Sequence, residues 1–597
     1  MATSLFILEE LRAKYLVRPE AVLEVTEEVL ARIDVCGDPA VFISRVAPDD
    51  LRAAACDLLA RAPDPASLPL WGVPFAVKDN IDVAGMETTA ACPAFAYKPE
   101  KDATAVARLE AAGALLVGKT NLDQFATGLS GTRSPYGAPR SVFNAGYISG
   151  GSSSGSAVAV ANGLVAFSLG TDTAGSGRVP AAFNNIVGIK PTPGLISTSG
   201  VVPACRSLDC VSIFSASVAD GALIRRVVEG FDASDAYSVE PAPKSLPPKP
   251  RAGVLEAKDQ EFHGDDAYAA LYGQAIARAR GLGWEIVEFD YAPFLDIASL
   301  LYEGPWLAER LAAIEPFIAA RPDEVEPTVR GLIESARRFS AADAFRGQYK
   351  LKSLMRTAEK EAKKFDFLLL PTAPTIYTAE AMRADPVRLN ARLGRYTNFV
   401  NFLGMSAIAI PSGFRDDGLP FGVTLIAPGF CDDALAVFAA ELHRASGCGA
   451  GKGRNPAGAT RLEAPETDRI EIVVVGAHLT GQPLNSELTQ AGGCLIEATR
   501  TSGEYRLFVL PNSTPPKPGL VREPDFCGAG LEVEVWSLPA EAFGRFVAAI
   551  PAPLGIGKVK LASGREVSGF LCEAHALGAA REISALGGWR GYLAEPR

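Results

Sequence analysis

Histidine is scarce in this chain. The 597 residues contain four, at His263, His443, His478 and His575, so a mechanism with a histidine base would have to use one of them. No apolar run approaches the roughly 20 residues needed to span a bilayer. The N-terminus also lacks the basic start and apolar core of a signal peptide, and we therefore expect a cytoplasmic protein without a membrane partner.

Basic residues are outnumbered as well. Lys and Arg total 58 against 69 Asp and Glu, which gives a net charge of −11 and provides no basic surface for nucleic acid. The ten cysteines form no CxxC pair and no Cys/His cluster with metal-ligand spacing, so free thiols and no metal site are expected. The hydrophobic content of 48% is typical of a globular protein with a large core.

The order of apolar runs predicts two domains joined by a linker. Short apolar runs such as "VPFAV" and "LVAFSLG" alternate with Ala-rich helical stretches, a pattern typical of an α/β core with an internal sheet. The stretch "GCGAGKGRNPAGATRLEAPETD" has no apolar period and is interpreted as the linker. The predicted organisation is an α/β domain over 1–447, with a helical lead-in over 1–65 and a helical insertion over about 294–364, a linker over 448–468, and a C-terminal α+β domain over 469–597.

Glycine residues separate the predicted elements of the C-terminal domain. Strands are predicted at "IEIVVVG", "YRLFVL" and "LEVEVWSL", and helices at "AEAFGRFVAAI" and "GAAREISAL". These elements suit a small domain with its own core.

Two serine-containing segments and one lysine contain the candidate catalytic residues. Ser176 lies between glycines in "GTDTAGSGRVPAAF", directly after a buried strand. Upstream, the Gly/Ser loop of "SGGSSSGSAVAVANG" contains Ser152 and leads into a helix, whose N-terminus presents free N–H groups. Lys78 ends the apolar run "GVPFAVKDN". Taken singly, these residues could be a turn serine, a flexible linker and a surface lysine.

Together the three segments resemble the amidase signature family, whose members use a Ser–cis-Ser–Lys triad. The resemblance covers most of residues 65–445, since "GKTNLDQFATG", "LLLPTAPT" and "LPFGVTLIAP" follow in the family's order. It implies that Ser176 is the nucleophile, Ser152 the bridging serine and Lys78 the base. Burial favours a neutral lysine amine, so this chemistry needs no histidine.

The small residues of the Ser176 loop predict an oxyanion hole. Glycine and alanine allow main-chain N–H groups to turn towards a developing oxyanion. The predicted donors are the amides of Thr173, Ala174, Gly175 and Ser176.

The substrate is indicated by a closer resemblance, to the allophanate hydrolases of that family. "GTDTAGSGRVPA" is similar to the form found in them, and in "LLYEGPWLAERLA" Tyr302 and Arg310 are eight residues apart on a predicted helical stretch, about two turns. The resemblance implies that Tyr302, Arg310 and Gly128 hold the substrate. A guanidinium suits allophanate, a planar anion. Arg310 on a solvated helix face and Gly128 as a plain turn residue are the alternatives.

The C-terminal domain resembles the second domain of allophanate hydrolases, which is similar to gamma-glutamyl cyclotransferases. In those enzymes it is linked to decarboxylation of the first product, which makes His478 in "GAHLTGQPLN" the candidate residue there. His478 could equally be a core histidine. The implied reaction converts allophanate to ammonia and N-carboxycarbamate, which then loses carbon dioxide, without metal or organic cofactor.

Two other functions are compatible with the sequence. One is that of an amidase or a glutamine amidotransferase subunit that acts on another small amide, and the other is that of a noncatalytic scaffold that retains the fold. The resemblance also implies a homodimer and a functional link to a urea carboxylase. Allophanate could come from urea or from triazine and cyanurate degradation, and the sequence does not distinguish these sources.

Overall fold

The structure is a computed structural model that describes residues 4–456, 462, 469–511, 515–578 and 580–595. The chain divides into two compact units, Met1–Ala464 and Pro465–Arg597. The predicted linker over 448–468 lies in large part outside the described residues, so its limits stay a prediction.

The first unit is built on one mixed sheet of eleven strands. Its spatial order is β1-β3-β2-β4-β6-β5-β10-β11-β9-β7-β8. Parallel pairs join β2 to β3 and β4, and β7 to β8 and β9, and the other neighbours are antiparallel. The strands are β1 (Phe42–Arg45), β2 (Pro74–Lys78), β3 (Leu115–Thr120), β4 (Phe167–Asp172), β5 (Val187–Lys190), β6 (Cys210–Ser215), β7 (Arg251–Leu255), β8 (Glu285–Phe289), β9 (Phe367–Pro371), β10 (Ser406–Phe414) and β11 (Pro420–Ala427).

Most central strands are buried along their whole length, as in β2, β4 and β6. Helices cover the sheet, because strands buried on both faces need an apolar layer on each. The helices are α1 (Leu8–Val17), α2 (Ala21–Val35), α3 (Pro48–Arg61), α4 (Thr104–Ala111), α5 (Ser154–Ala161), α6 (Val179–Phe183), α7 (Val218–Val228), α8 (Asp266–Gly281), α9 (Ala292–Glu303), α10 (Trp306–Ala320), α11 (Pro327–Glu334), α12 (Ala341–Ala362), α13 (Ala379–Ala384), α14 (Arg388–Leu393), α15 (Phe399–Phe402) and α16 (Asp432–Ser446).

Two segments that were predicted to be helical are interrupted in the structure. The N-terminal 65 residues, predicted to be helical, also contain β1, which pairs with β3 at the edge of the sheet. The stretch that carries Tyr302 and Arg310 is two helices, because α9 ends before Gly304, which has an extended backbone, and α10 starts after Pro305. Proline lacks an N–H and disfavours the helical conformation in the residue before it. The prediction of one continuous helical stretch there is wrong.

The second unit has a five-stranded sheet, ordered β13-β16-β12-β18-β17, and a three-stranded sheet, ordered β15-β14-β19. Its core includes Val535, Leu538 and Trp589. The elements are β12 (Arg469–Val474), α17 (Asn485–Gln490), β13 (Cys494–Arg500), β14 (Tyr505–Val509), β15 (Pro518–Arg522), β16 (Glu532–Pro539), α18 (Ala540–Ala548), β17 (Leu554–Lys560), β18 (Glu566–Cys572), β19 (Arg581–Glu582) and α19 (Trp589–Leu593).

The helix predicted at "GAAREISAL" is wrong over its described residues. Arg581 and Glu582 pair with β14 as β19, and Ser584–Leu586 forms one 3₁₀ turn. The buried side chain of Ile583 lies between them, so pairing with the sheet overrides the local helix preference. Among the described helices of the chain, none combines the length and apolar character needed to cross a membrane.

Candidate active site

Lys78 is enclosed at the end of β2. Its side chain is fully buried, and its Nζ donates to Ser152 Oγ at 2.8 Å and to Thr171 Oγ1 at 2.7 Å. Burial lowers the pKa of Lys78 from 10.5 to about 7, against the opposing charges of Asp123, Asp209 and Asp172. A lysine with this pKa is partly neutral near pH 7 and can act as a base.

Ser152 lies in the loop that leads into α5. The Gly151–Ser152 peptide bond is cis, and Ser153 Oγ donates to the carbonyl of Thr171 at 3.1 Å. A Cβ on Gly151 would collide with Asp123 Oδ2, so only glycine fits. The loop therefore holds Ser152 beside Lys78 by close backbone packing.

Asp123 organises the facing wall of the site. Its Oδ2 accepts the amides of Ser130 at 3.2 Å and Gly131 at 3.0 Å, and its Oδ1 accepts the amide of Arg133 at 2.9 Å. Its own amide donates to the carbonyl of Ser152. One carboxylate thus fixes the 130–133 turn against the serine loop.

Ser176 is 3% exposed and follows β4. Its Oγ donates to the carbonyl of Gly128 at 3.5 Å. The preceding Gly175 has φ +133°, and a Cβ there would collide with Thr397 Oγ1. Thr397 Oγ1 donates to the carbonyl of Ala174 at 2.6 Å, so a residue far along the chain holds the loop.

Asp172 takes up one of the four amides predicted for the oxyanion hole. Its Oδ1 accepts the Gly175 N–H at 2.7 Å, because the tight turn folds that amide back on the strand end. The prediction for Gly175 therefore does not hold in this structure. The amides of Thr173, Ala174 and Ser176 have no protein acceptor among the described residues, so these three stay predicted donors.

Arg178 completes the support beneath the loop. Its Nε and Nη2 donate to the two oxygens of Asp172, each at 2.9 Å, and both side chains are fully buried. Asp172 Oδ2 also accepts the amide of Gly177 at 3.0 Å. This two-point ion pair anchors the loop, and burial of both partners makes it costly to break.

The three predicted substrate residues lie in one connected group. Arg310, 2% exposed, donates from Nη1 to Thr127 Oγ1 at 3.1 Å, and its guanidinium carbon lies 5.7 Å from the centre of the Tyr302 ring. Thr127 directly precedes Gly128, whose carbonyl accepts the hydroxyl of Ser176. Although α9 and α10 are separate helices, they bring Tyr302 and Arg310 together next to the segment that contacts Ser176. The solvated-face alternative for Arg310 is wrong, because the side chain is buried.

Sequence reasoning missed Thr171, Asp123 and Asp209. Thr171 stands in "GTDTAGSG" and Asp123 in "GKTNLDQFATG", both segments that carried the resemblance, so those motifs offered a signal. Asp209 accepts the hydroxyl of Thr173 at 2.5 Å, and nothing in its local sequence indicated this contact.

The second unit holds His478 at the wall of a cavity of about 410 Å³. His478 Nε2 lies 2.9 Å from Glu487 Oε2, and the ring stacks on Phe570 with 5.3 Å between centroids. Burial lowers the pKa of His478, and the hydrogen bond with Glu487 opposes this. Lys517 lines the same cavity, so a histidine–carboxylate pair and a cation face one space.

The described part of the chain contains no group of three or more His, Cys, Asp or Glu residues arranged to hold a metal ion. Its ten cysteines are all free.

Comparison with known proteins matches both units. The family model for amidases matches residues 24–436, and the model for the allophanate hydrolase C-terminal domain matches residues 470–594. The solved structure of Kluyveromyces lactis allophanate hydrolase is 41% identical with a TM-score of 0.76, over 98% of this chain and 99% of that one.

Two curated relatives extend the comparison. Urea amidolyase of Saccharomyces cerevisiae is 43% identical over 96% of this chain but 32% of its own length, so this chain spans about a third of that relative. A glutamyl-tRNA(Gln) amidotransferase subunit from Symbiobacterium thermophilum is 36% identical over 69% of this chain and 91% of its own length. These similarities agree with the α/β class predicted for the first unit and with a separate, sheet-rich second unit.

Proposed function

Because the chain belongs to the amidase family, we propose that it is an amidohydrolase that converts allophanate to ammonia and N-carboxycarbamate through an acyl-enzyme. One observation carries this proposal: a buried lysine with a lowered pKa contacts Ser152, and a buried arginine contacts Thr127, one residue from the Gly128 carbonyl that binds Ser176. The domain limits 1–447, 448–468 and 469–597 are part of the same proposal.

The neutral amine of Lys78 accepts the proton of Ser152, and Ser152 accepts that of Ser176. In the structure the Ser176 hydroxyl donates to the carbonyl of Gly128. A rotation about its χ1 angle brings it to Ser152 when the substrate binds, since such hydrogen bonds often tighten only in the complex. The activated Ser176 then attacks the terminal carbamoyl carbon of allophanate.

The tetrahedral oxyanion binds to the amides of Thr173, Ala174 and Ser176, which are fixed before the reaction begins. The protonated Lys78 returns its proton through Ser152 to the departing nitrogen, and ammonia leaves. Water, deprotonated by the same relay, attacks the acyl-enzyme and releases N-carboxycarbamate. Ser176, Ser152 and neutral Lys78 are thereby restored.

Arg310 binds the carboxylate of allophanate. Its Nε has no hydrogen-bond partner within the described residues, so the guanidinium can donate to a planar anion. Tyr302 lies against the guanidinium and keeps its plane in place. The carbonyl of Gly128, which accepts the Ser176 hydroxyl, is proposed to accept a hydrogen bond from the carbamoyl nitrogen.

The second unit acts on the product. N-carboxycarbamate is an anion that loses carbon dioxide once its nitrogen is protonated. In the cavity of the second unit, Lys517 provides positive charge and the His478–Glu487 pair can supply that proton. We assign this decarboxylation to His478.

The enzyme is proposed to work in the cytoplasm as a homodimer and to receive allophanate from a urea carboxylase. The relatives named as urea amidolyases support the link to urea. A source in triazine or cyanurate degradation would feed the same chemistry.

Ammonia release from several amides tests the reaction. Purified protein is given allophanate, glutamine, malonamide and a fatty amide in parallel. Release from allophanate with the highest kcat/KM supports the proposal. Release from glutamine alone would favour an amidotransferase role, and no release from any substrate would favour a noncatalytic scaffold.

A further inference from the structure

Asp209 lies behind the oxyanion-hole loop, and the proposed reaction gives it no step. It immediately precedes β6 and is 7% exposed. Its Oδ1 accepts the Thr173 hydroxyl at 2.5 Å, and its Oδ2 accepts the amides of Ala204 at 2.8 Å and Cys205 at 3.1 Å. The carboxylate therefore ties the 204–209 turn to the first residue of the oxyanion hole.

Arg310 needs a counter-charge that leaves its hydrogen-bonding groups open. No ion pair involves Arg310 in the described ranges, and a buried, uncompensated cation is costly. Burial raises the pKa of Asp209 to about 6, whereas the Thr173 hydrogen bond and the charge of Arg310 oppose that rise. Ser207, in the same turn, donates its amide at 2.7 Å and its hydroxyl at 2.8 Å to Glu309, the residue before Arg310, so the turn that contains Asp209 packs against α10. The charge of Arg310 acts on Asp209 although no direct hydrogen bond joins them.

The negative charge of Asp209 also acts on Lys78. Three aspartates act on it, Asp123, Asp209 and Asp172, and its hydrogen bonds go to Ser152 and Thr171. Asp172 is neutralised by Arg178, and Asp123 is surrounded by backbone amides. The charge of Asp209 thus acts both on Lys78 and on Arg310.

We propose that Asp209 is a positioning and specificity residue: it holds Thr173 so that the Thr173 amide faces the oxyanion, and its charge balances Arg310 without occupying the guanidinium. The specificity part rests on the proposed binding of an anionic amide by Arg310. The positioning part holds for any amide substrate of this site.

The test compares Asp209→Asn with Asp220→Asn in the full-length chain. The amide introduced by Asp209→Asn can keep both contacts, since its oxygen can accept the amides of Ala204 and Cys205 while its NH₂ donates to the Thr173 hydroxyl. Asp220 is a matched control, because it is also a buried aspartate whose pKa burial raises, to about 7. It accepts the amide of Leu8 at 3.5 Å, outside the site.

Two kinetic readouts separate charge from packing, measured with malonamate as the anionic amide and malonamide as the neutral one. Asp209→Asn is expected to lower KM for malonamate about threefold, because the positive charge of Arg310 is less balanced, and to leave KM for malonamide unchanged. In the pH profile of kcat/KM, the acid limb should also shift to lower pH by about half a unit for both substrates. The reason is that loss of a nearby negative charge lowers the pKa of Lys78. Asp220→Asn should change neither.

A third variant tests the hydrogen bond between Thr173 and Asp209 on its own. Thr173→Val removes the hydroxyl that Asp209 accepts and keeps the side-chain shape, so kcat is expected to fall about tenfold for both amides with little change in KM. If Asp209→Asn matches Asp220→Asn in both readouts, or Thr173→Val retains full kcat, the proposal is wrong. If Asp209→Asn fails to fold, Thr173→Val decides.

Failure of the proposed function gives a different pattern. A protein that hydrolyses malonamide but neither malonamate nor allophanate would remove the role of Arg310 and with it the specificity part. The shift of the acid limb and the loss of kcat in Thr173→Val would still be measured on malonamide.

Discussion

The two units place a titratable side chain in contrasting surroundings. In the first, Lys78 is fully enclosed, and burial lowers its pKa to about 7. In the second, His478 lies at the wall of a cavity of about 410 Å³ and shares its Nε2 with Glu487. Lysine needs complete burial to act near pH 7, whereas histidine titrates there with little help. The lysine site therefore depends on tight packing and the histidine site on access.

The largest effect is expected from removal of Ser176, the proposed nucleophile. Ser176→Ala should lower ammonia release from allophanate by at least about 10³-fold, because it removes the attacking hydroxyl and the hydroxyl of Thr173 in the same loop donates to Asp209. The control is Ser154→Ala, a buried serine whose hydroxyl donates to the carbonyl of Asn121 and which should retain most activity. Ammonia assays and thermal unfolding check both, and substantial turnover by Ser176→Ala would show that another serine is the nucleophile.

Loss of Arg310, the arginine proposed to bind the substrate, should raise KM. Arg310→Met is expected to raise KM for allophanate about 100-fold, the order of a lost charge-assisted hydrogen bond, with a small effect on malonamide. Arg225→Met removes a buried arginine that pairs with Glu229 and Asp433 and provides the control for lost packing. Equal rises in KM for both substrates would contradict a role in anion binding.

One substitution in the second unit should slow carbon dioxide release without slowing ammonia release. His478→Gln is expected to slow carbon dioxide release about tenfold while ammonia release stays unchanged, because proton donation to the product is lost. His443→Gln is the control, since His443 is a buried histidine of the first unit that contacts the carbonyl of Gly449. Carbon dioxide release that keeps pace with ammonia release in His478→Gln would overturn the assignment.

The smallest expected effect is on the free energy of unfolding, and it tests whether enclosed Lys78 is neutral in the folded protein. Between pH 7 and 10.5 the unfolded chain carries a proton on Lys78 that the folded chain does not. The free energy of unfolding should therefore rise with pH over this range, by at most about 1.4 kcal/mol per unit from this residue. Lys78→Met should abolish that increment in urea unfolding measured from pH 7 to 9, and an unchanged slope would mean that Lys78 is charged in the folded state.

Much of the first unit could be predicted because its signals are local. Buried runs such as "VPFAV" and "LVAFSLG" became β2 and β4, and the Gly/Ser loop does lead into α5. The resemblance to the amidase signature family also implies that Lys78 and Ser152 are close, and Lys78 Nζ lies 2.8 Å from Ser152 Oγ. The catalytic roles themselves stay predictions.

The rest depends on contacts that local sequence does not contain. The break between α9 and α10 follows from the Gly304–Pro305 pair, whose signal was present but was outweighed by the helical period around it. The loss of the Gly175 amide to Asp172 depends on how one turn closes. Asp209 could not be assigned, because its partner Thr173 is 36 residues away.

The support of the nucleophile loop has a consequence for synthesis on the ribosome. Thr397 holds the carbonyl of Ala174 from 223 positions downstream, and Asn401 holds that of Asp172 from 229. Strand β5, which pairs with β6 on one side, likewise gains its second neighbour only when β10 has been made. A nascent chain that ends before residue 397 thus contains Lys78, Ser152 and Ser176 without these contacts to the loop of Ser176. We therefore expect the growing polypeptide to stay inactive until translation has passed residue 401.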